Sequence, residues 1–470
     1  MGPTPPQPDE NTSLGPYWRA LSICLVLLAV YIAAILTLHT ETATRSTAPP
    51  WYAWVRFPKV HTRPETVFLV FPAIVYAVWL GVIRRMRSKP LSDAIFLPLA
   101  CVAVFAMNVT TALTDGSVDA ISKPFNWGGS EYFSDVGAVR GVATFLHGYV
   151  ANLYHYSIHT RTHPPGAVLF LYFVARIIQP GVRTAAWSAV AVTATGVVPF
   201  FLLGRRIAGE KIAAIATALY VVTPSLVIYG ATSMDGVFLV SLLWSMYFLY
   251  RAVEERGIGI AIVAGILLAI SFSLSYVAVC IVALIFVCSV LEVAKDRGEF
   301  WPAVRAFVLC GSVVLAWFAA AYALSGFNYF ACLRASRYYD RYSMRTSTMS
   351  FGRYLDISVC NLIAFLIGVG FAAIVLWWKQ TSGSLKSPRN WSKADRFNAA
   401  TVICVIGFSF AKLFTHETER IWLFFIPPAL LGAAAWIART RGGSQRLLEW
   451  AMHLMFVQTW VFQLLLFTIW

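Results

Sequence analysis

The sequence predicts an all-α polytopic membrane protein, and its composition carries that prediction. Hydrophobic residues make up 59% of the 470 residues and charged residues only 13%, whereas soluble domains are about 45–50% apolar and about 25% charged. So little charge cannot cover a water-exposed surface over most of the chain. The composition therefore excludes a soluble globular protein, a disordered chain, a fibre and a secreted disulfide scaffold.

A transmembrane helix needs about 20 mostly apolar residues, and such runs recur along the chain. We predict about thirteen spans, at 19–38, 66–84, 93–113, 184–203, 211–229, 236–252, 258–274, 275–293, 303–324, 355–377, 398–414, 421–437 and 449–469. The apolar segment 165–179 is short and follows two prolines, so we expect it at the outer interface or as a re-entrant element. Residues 1–18 are predicted to be a cytoplasmic tail, and 19–470 a single transmembrane domain.

The distribution of basic residues predicts the orientation. The chain has 37 Lys and Arg against 22 Asp and Glu, a net charge of +15, and short basic loops stay on the cytoplasmic side of membrane proteins. With the N-terminus inside, every short basic loop falls on the cytoplasmic face. This predicts a multi-pass plasma-membrane protein whose outer face receives the loops 39–65, 114–165 and 325–354.

The outer face has the residues expected of a functional site. Seven of the eight histidines fall there, and the loop 114–165 is the longest polar stretch, rich in aromatic residues. Loops of this length are usually functional. Its carboxylates include Asp115, Asp119, Glu131 and Asp135, and its cations include Arg161 and His163. The alternative interpretation is a solvated loop with interfacial aromatic anchors.

Two short motifs lie near this loop and further along the chain. In Thr162–Gly166 (THPPG), two prolines start a helix, and a cation before a helix N-terminus can help its free amides to hold an anion; a plain helix start is the alternative. Asp235 stands in the corner that ends the stretch PSLVIYGATSMDG. It either binds a substrate hydroxyl or caps the next helix, and this stretch alone favours the cap.

Two further charged stretches are candidates for ligand contacts. The turn His416–Arg420 (HETER) lies between two spans, with Lys412 one turn earlier. Charges so near hydrocarbon usually pair or contact a ligand, so Glu419 and Arg420 bind substrate or form a helix-linking ion pair. In the loop 325–354, Arg341 and other arginines alternate with tyrosines. That pattern suits phosphate and sugar contacts, or an amphipathic segment on anionic lipid.

The order of these motifs resembles the GT-C fold membrane glycosyltransferases, in particular the protein O-mannosyltransferase and aminoarabinose transferase superfamily. The shared features are the acidic aromatic loop, the His-Pro-Pro-Gly element, a span ending in GRRIAGEK (Gly204–Lys211), the SMDG corner and the charged turn before a proline-bearing span. The resemblance covers about residues 115–255, and 410–437 more weakly. Two departures are Gly166 in place of the family's leucine, and an acidic loop after the third predicted span rather than the first.

The resemblance implies transfer of a sugar from a polyprenyl-phosphate donor to an acceptor hydroxyl on the outer side, by an inverting reaction. The family's catalytic carboxylate lies about thirty residues before the Pro-Pro element, which here matches Asp135 first and Glu131 second; the family's adjacent Asp-Glu pair is absent. A carboxylate would take the acceptor's proton. Arg161, His163 and Arg420 would neutralise the leaving phosphate.

The expected partners are this donor, a glycan, lipid or protein acceptor, and membrane lipids, with no nucleic acid. No cofactor or metal is expected, because arginines can hold the leaving phosphate and no clustered ligand motif stands in the sequence. The alternative function is a transporter or flippase of a lipid-linked glycan. That function would need ionisable residues deep in the spans, where this sequence has few.

Overall fold

The computed structural model describes residues 18–19, 22–23, 25–26, 29, 66–127, 129–343, 350–411, 413, 418–440 and 444–465, and every regular element among them is helical. The α-helices are α1 Thr66–Ser88, α2 Asp93–Leu113, α3 Val142–Gly148, α4 Ile158–Arg161, α5 Gly166–Ile177, α6 Val182–Ala194, α7 Val197–Ala208, α8 Glu210–Tyr220, α9 Pro224–Ile228, α10 Asp235–Glu255, α11 Ile258–Leu274, α12 Ala278–Lys295, α13 Phe300–Ser325, α14 Tyr329–Ser343, α15 Phe351–Val369, α16 Phe371–Leu385, α17 Lys393–Ser409, α18 Thr418–Ile421, α19 Ile426–Arg439 and α20 Ser444–Leu465.

Many of these helices meet the physical requirements for crossing a membrane. In the described residues, 7 helices are long and apolar enough, and up to 9 if each of two bent pairs is one span. The prediction of an all-α polytopic membrane protein is therefore confirmed. The number of about thirteen spans is not confirmed, and the predicted span 19–38 lies mostly outside the described residues. Helix α5 lies in the segment 165–179, which is expected not to cross the membrane, and has 12 residues. Its length of about 18 Å is shorter than the hydrocarbon core of a bilayer, which is about 30 Å thick.

The predicted continuous span 355–377 is broken at Gly370. Residues Ile357–Val369 and Phe371–Leu385 meet at 107°, because Gly370 takes a φ of 100° that ends α15. Gln458 of α20 fills the break: its Nε2 donates to the carbonyl of Ile367 at 2.9 Å, and its Oε1 accepts from the backbone N–H of Phe371 at 2.9 Å. One side chain thus satisfies backbone groups that have no water to bind.

Helix α10 is the centre of the bundle, since α6, α7, α11, α12 and α13 all pack on it. Ion pairs surround its C-terminal end, where Arg206 pairs with Glu254 and Glu255, and Lys393 also pairs with Glu254. Asp235 begins the helix at the other end. Charged groups therefore gather at the two ends of α10, and its middle turns bury apolar side chains.

The His-Pro-Pro-Gly segment is held against the end of α11. A Cβ on Gly166 would lie 2.1 Å from the carbonyl oxygen of Ser273 and 2.6 Å from its carbonyl carbon. Such contacts are impossible without a backbone shift. The close approach explains why glycine stands here and a leucine does not fit, and it fixes the start of α5 beside the last turn of α11.

We expect Gly166→Ala to lower the melting temperature of the detergent-solubilised protein by several degrees, because overpacking a tight contact costs about 1–3 kcal/mol. The matched control is Gly259→Ala in α11, where nothing lies within 4 Å of the added Cβ. Replacing a helical glycine by alanine in open space is stabilising by roughly 0.5–1 kcal/mol. Equal melting temperatures for the two variants would contradict the packing of α5 on α11.

Candidate functional site

A cavity of about 850 Å³ lies between the loop 114–165 and helices α10 to α14. Its polar end is formed by Glu131, His159, His163, Asp235 and Arg420. From there it continues along apolar side chains of four helices, with the wall residues Leu239, Leu242, Leu249, Leu268, Phe272, Val279, Val282, Phe307, Val314 and Phe318. The cavity therefore joins a charged end to a long hydrocarbon-like groove.

Buried aromatic residues fix the loop that closes the polar end. Tyr149 is fully buried and stacks on Tyr156, with ring centroids 5.2 Å apart. Its hydroxyl donates to the carbonyl of Thr160 at 2.8 Å and lies 3.1 Å from the carbonyl of His163. Because one side chain holds two backbone positions, the segment that ends in His163 has a defined path past the cavity.

Glu131 and Asp135 are both buried, but they point to different surroundings. Glu131 lines the cavity, and its Oε1 lies 3.1 Å from Nδ1 of His159. Asp135 is not part of the cavity lining; its Oδ2 accepts a hydrogen bond from the backbone N–H of Ser157 at 3.0 Å. Glu131 therefore faces the cavity, whereas Asp135 holds the backbone of the loop that carries His159.

Arg420 joins the acidic corner to the loop. The residue is 6% exposed. Its Nε lies 3.1 Å from Oδ2 of Asp235, and a terminal nitrogen lies 3.4 Å from Nε2 of His159. Four side chains thus form one continuous chain of contacts along the polar end of the cavity, in the order Glu131, His159, Arg420 and Asp235. In the sequence, Glu131 and Arg420 are 289 positions apart.

His163 is enclosed and uncharged. Burial, with the nearby His159 and Arg420, lowers the pKa of His163 to about 3. Its Nδ1 lies 3.0 Å from the carbonyl oxygen of His159, so this nitrogen carries the proton, and its ring stacks near Phe238 at 5.9 Å. A neutral imidazole brings no positive charge to a phosphate. The contact that the geometry gives His163 is with Phe238, in the wall of the cavity.

The other predicted binding residues lie outside the charged chain. Arg161 donates from Nε and a terminal nitrogen to the carbonyl of Tyr156, at 3.1 and 2.8 Å, and is not part of the cavity lining. Glu419 is buried and also absent from the lining. Arg341 lies on α14, but its side chain is outside the described ones, and Lys412 lies outside the described residues altogether.

One cavity residue, His159, was not singled out as a binding candidate from the sequence, and Arg337 was considered only as one of the arginines of the loop 325–354. His159 stands four residues before His163, which in a helical turn places both side chains near one another. Arg337 lies on the exposed rim of the cavity, one helical turn before Arg341. The four-residue spacing was the available signal in both cases, yet such spacing is common and did not distinguish them.

Among the described residues, no three His, Cys, Asp or Glu side chains come together in a way that could hold a metal ion. Glu131 and Asp235, the carboxylates of the charged chain, are each in contact with a nitrogen group of the protein.

We expect the protein to become less stable as the pH is lowered, and we expect part of this loss to depend on His163. An unfolded histidine has a pKa of about 6.5, whereas the folded value is about 3. Below pH 6.5 the unfolded chain binds a proton that the folded chain does not, so the stabilising contribution is full above pH 6.5 and is lost as the pH falls. His163→Asn should therefore flatten the drop in melting temperature between pH 7 and pH 4. An unchanged slope would contradict the neutral, enclosed state.

Comparisons with known proteins agree with this architecture. Residues 162–322, from the His-Pro-Pro-Gly element to the end of α13, match the family model described as dolichyl-phosphate-mannose-protein mannosyltransferase. The fold is similar to that in the crystal structure of the Archaeoglobus fulgidus oligosaccharyltransferase in complex with Zn and sulfate, with a TM-score of 0.51 and 14% identity.

That match covers 78% of this chain and 53% of the other, so the chain spans about half the length of the oligosaccharyltransferase. No curated protein matched the sequence. In its fold, and in its sequence over residues 162–322, the chain is similar to the GT-C fold membrane glycosyltransferases.

Proposed function

We propose that the protein is a membrane glycosyltransferase that moves a sugar from a polyprenyl-phosphate donor to an acceptor hydroxyl on the outer side of the plasma membrane. One observation carries the proposal: a single cavity joins a buried carboxylate and a buried guanidinium to an apolar groove. A lipid-linked sugar has the matching parts, which are an isoprenoid chain, an anionic phosphate and a polar sugar. The similarities in family and fold support the same class.

In this proposal Glu131 is the catalytic base. A hydroxyl is a poor nucleophile and needs a carboxylate within hydrogen-bond reach. The acceptor oxygen attacks the anomeric carbon, its proton passes to Glu131, and the bond between that carbon and the phosphate oxygen breaks. A single displacement of this kind inverts the anomeric configuration. Glu131 is preferred over Asp135 because it lines the cavity, while Asp135 already accepts the N–H of Ser157.

Arg420 is proposed to hold the leaving phosphate. The phosphate gains negative charge as the sugar departs, and a preorganised cation away from bulk water is effective in stabilising that charge. Asp235 contacts Nε of Arg420, which orients the guanidinium at the cavity that it lines. Arg341, Lys412 and Glu419 stay in the proposal as substrate-binding residues, and Arg161 and His163 as residues that shape the loop beside the donor.

The sidedness is also a proposal, with the N-terminus in the cytoplasm. The cavity's polar end lies under the loop 114–165, which the charge distribution assigns to the outer face. Arg206 near the end of α7 and Lys393 at the start of α17, both on the side that the charge distribution assigns to the cytoplasm, pair with Glu254 at the other end of α10. Accumulation of basic residues on the cytoplasmic side follows the usual rule for membrane proteins.

We expect Glu131→Gln to lower the rate of sugar transfer about a hundredfold or more, since a general base typically contributes about 10²–10⁴-fold, with little change in donor affinity. Asp135→Asn is the matched control: an amide oxygen can still accept the N–H of Ser157, so transfer should stay within a few-fold of wild type. The assay offers labelled polyprenyl-phosphate sugars one at a time to the purified protein in liposomes. A large loss in Asp135→Asn with near-normal transfer in Glu131→Gln would assign the base to Asp135.

Arg420→Gln should weaken binding of the donor by about ten- to a hundredfold, because charge-assisted hydrogen bonds to phosphate are worth about 1.5–3 kcal/mol each. This change leaves Asp235 without its cation, so Arg420→Gln is also made together with Asp235→Asn, which removes the unpaired charge. Donor binding should stay weak in the double variant even where its folding recovers. If both variants bind the donor normally, the phosphate lies elsewhere.

Movement of intact donor across the liposome membrane without transfer would instead favour a flippase.

A further inference from the structure

His159 stands between the two oppositely charged groups of the cavity. Its Nδ1 lies 3.1 Å from Oε1 of Glu131, and its Nε2 lies 3.4 Å from a terminal nitrogen of Arg420. All three side chains are at least four-fifths buried, with side-chain exposures of 17% for His159, 8% for Glu131 and 7% for Arg420. A single imidazole ring therefore separates a carboxylate and a guanidinium in a poorly hydrated space.

The contacts determine where the imidazole proton lies. A guanidinium has only donors, so the Nε2 atom facing Arg420 must present its lone pair. Nδ1 then carries the hydrogen and donates a hydrogen bond to the carboxylate of Glu131. In this tautomer the ring contacts both charged groups through its two nitrogens.

The backbone around His159 keeps the ring in this position. The N–H of His159 donates to the carbonyl of Ser130 at 3.1 Å, the residue directly before Glu131. The carbonyl of His159 accepts from Nδ1 of His163, and the ring of Tyr132 lies 5.6 Å from the His159 ring. The histidine and the carboxylate are thus fixed to each other by their backbones as well as by their side chains.

We infer that His159 is a positioning residue that prevents Glu131 and Arg420 from forming a direct ion pair. The inference rests on the proposed function, in which Glu131 must accept a proton and Arg420 must bind a phosphate. A direct contact with an arginine lowers the pKa of a carboxyl by about 1–3 units and would occupy the guanidinium as well. With the ring as a spacer between them, the carboxylate and the guanidinium both face the cavity without contacting each other.

The other charged or titratable groups at this end act on the same pair. Asp235 already contacts Arg420 from the start of α10, His163 is neutral, and α14 contributes the rim residues Arg337 and Asp340. None of these groups lies between Glu131 and Arg420 in the described contacts. The separation of the two charges is thus assigned to His159.

The first test is the pH dependence of transfer by His159→Ala. The acid limb of kcat/KM reports the pKa of the base in the free enzyme. With the spacer removed, we expect this limb to move to lower pH by about one unit or more, with kcat at pH 7 reduced about tenfold or more. His159→Asn retains a donor toward Glu131, so its pH profile should lie between those of the wild type and His159→Ala. The control is His155→Ala, which changes an exposed histidine of the same loop. We expect this variant to keep the wild-type pH profile. Loss of rate with an unmoved limb would overturn the inference.

The second test does not need activity. The coupling between Glu131 and Arg420 is measured from the melting temperatures of Glu131→Gln, Arg420→Gln and their combination, in the wild-type and His159→Ala backgrounds. Removal of the spacer should make this coupling several degrees larger. An unchanged coupling overturns the spacer role whatever the activity. A larger coupling in a protein that transfers no sugar from any donor supports the spacer and refutes the proposed function.

Discussion

A nearly buried guanidinium at the head of an apolar cavity is the constraint on which the arrangement of this end of the molecule depends. An isolated charge in such surroundings is costly, and it persists only when partners surround it. Arg420 meets that condition through Asp235 at the start of α10 and His159 in the loop. Since those partners come from distant parts of the chain, the loop, the central helix and the turn before α19 must meet at one point.

The same need to satisfy polar groups away from water explains the irregular backbone within the bundle. Where α15 and α16 break at Gly370, Gln458 supplies both a donor and an acceptor. Where α5 begins, the absence of a side chain on Gly166 lets the backbone approach Ser273. Breaks of this kind are tolerated at membrane depth only when other parts of the protein supply the missing partners. They set where the neighbouring helices begin and turn.

Much of the fold could be predicted from composition and hydropathy, because the membrane requires long apolar helices. The bend at Gly370 could not, since glycines in an apolar run have no distinctive pattern that marks a break. For the site, the sequence identified Arg420 and Asp235 separately but could not pair them across 185 positions. Distance along the chain favoured Asp135 over Glu131. Which of two carboxylates four residues apart faces a cavity depends on local packing, as does the position of His159 between Glu131 and Arg420.

Helix α13 has a consequence for how a ligand would arrive. Its inner side lines the cavity with Phe307, Val314 and Phe318, while Val308 and Leu324 are 60% and 83% exposed. Within the described part of the chain, one helix thus separates this side of the groove from the surface of the bundle. Under the proposed function, the donor would be captured by diffusion in two dimensions, and occupancy would follow its mole fraction in the membrane rather than any aqueous concentration. The spent carrier would return by the same route and compete with fresh donor, so the lipid pool on that leaflet would set the rate of the protein in the cell.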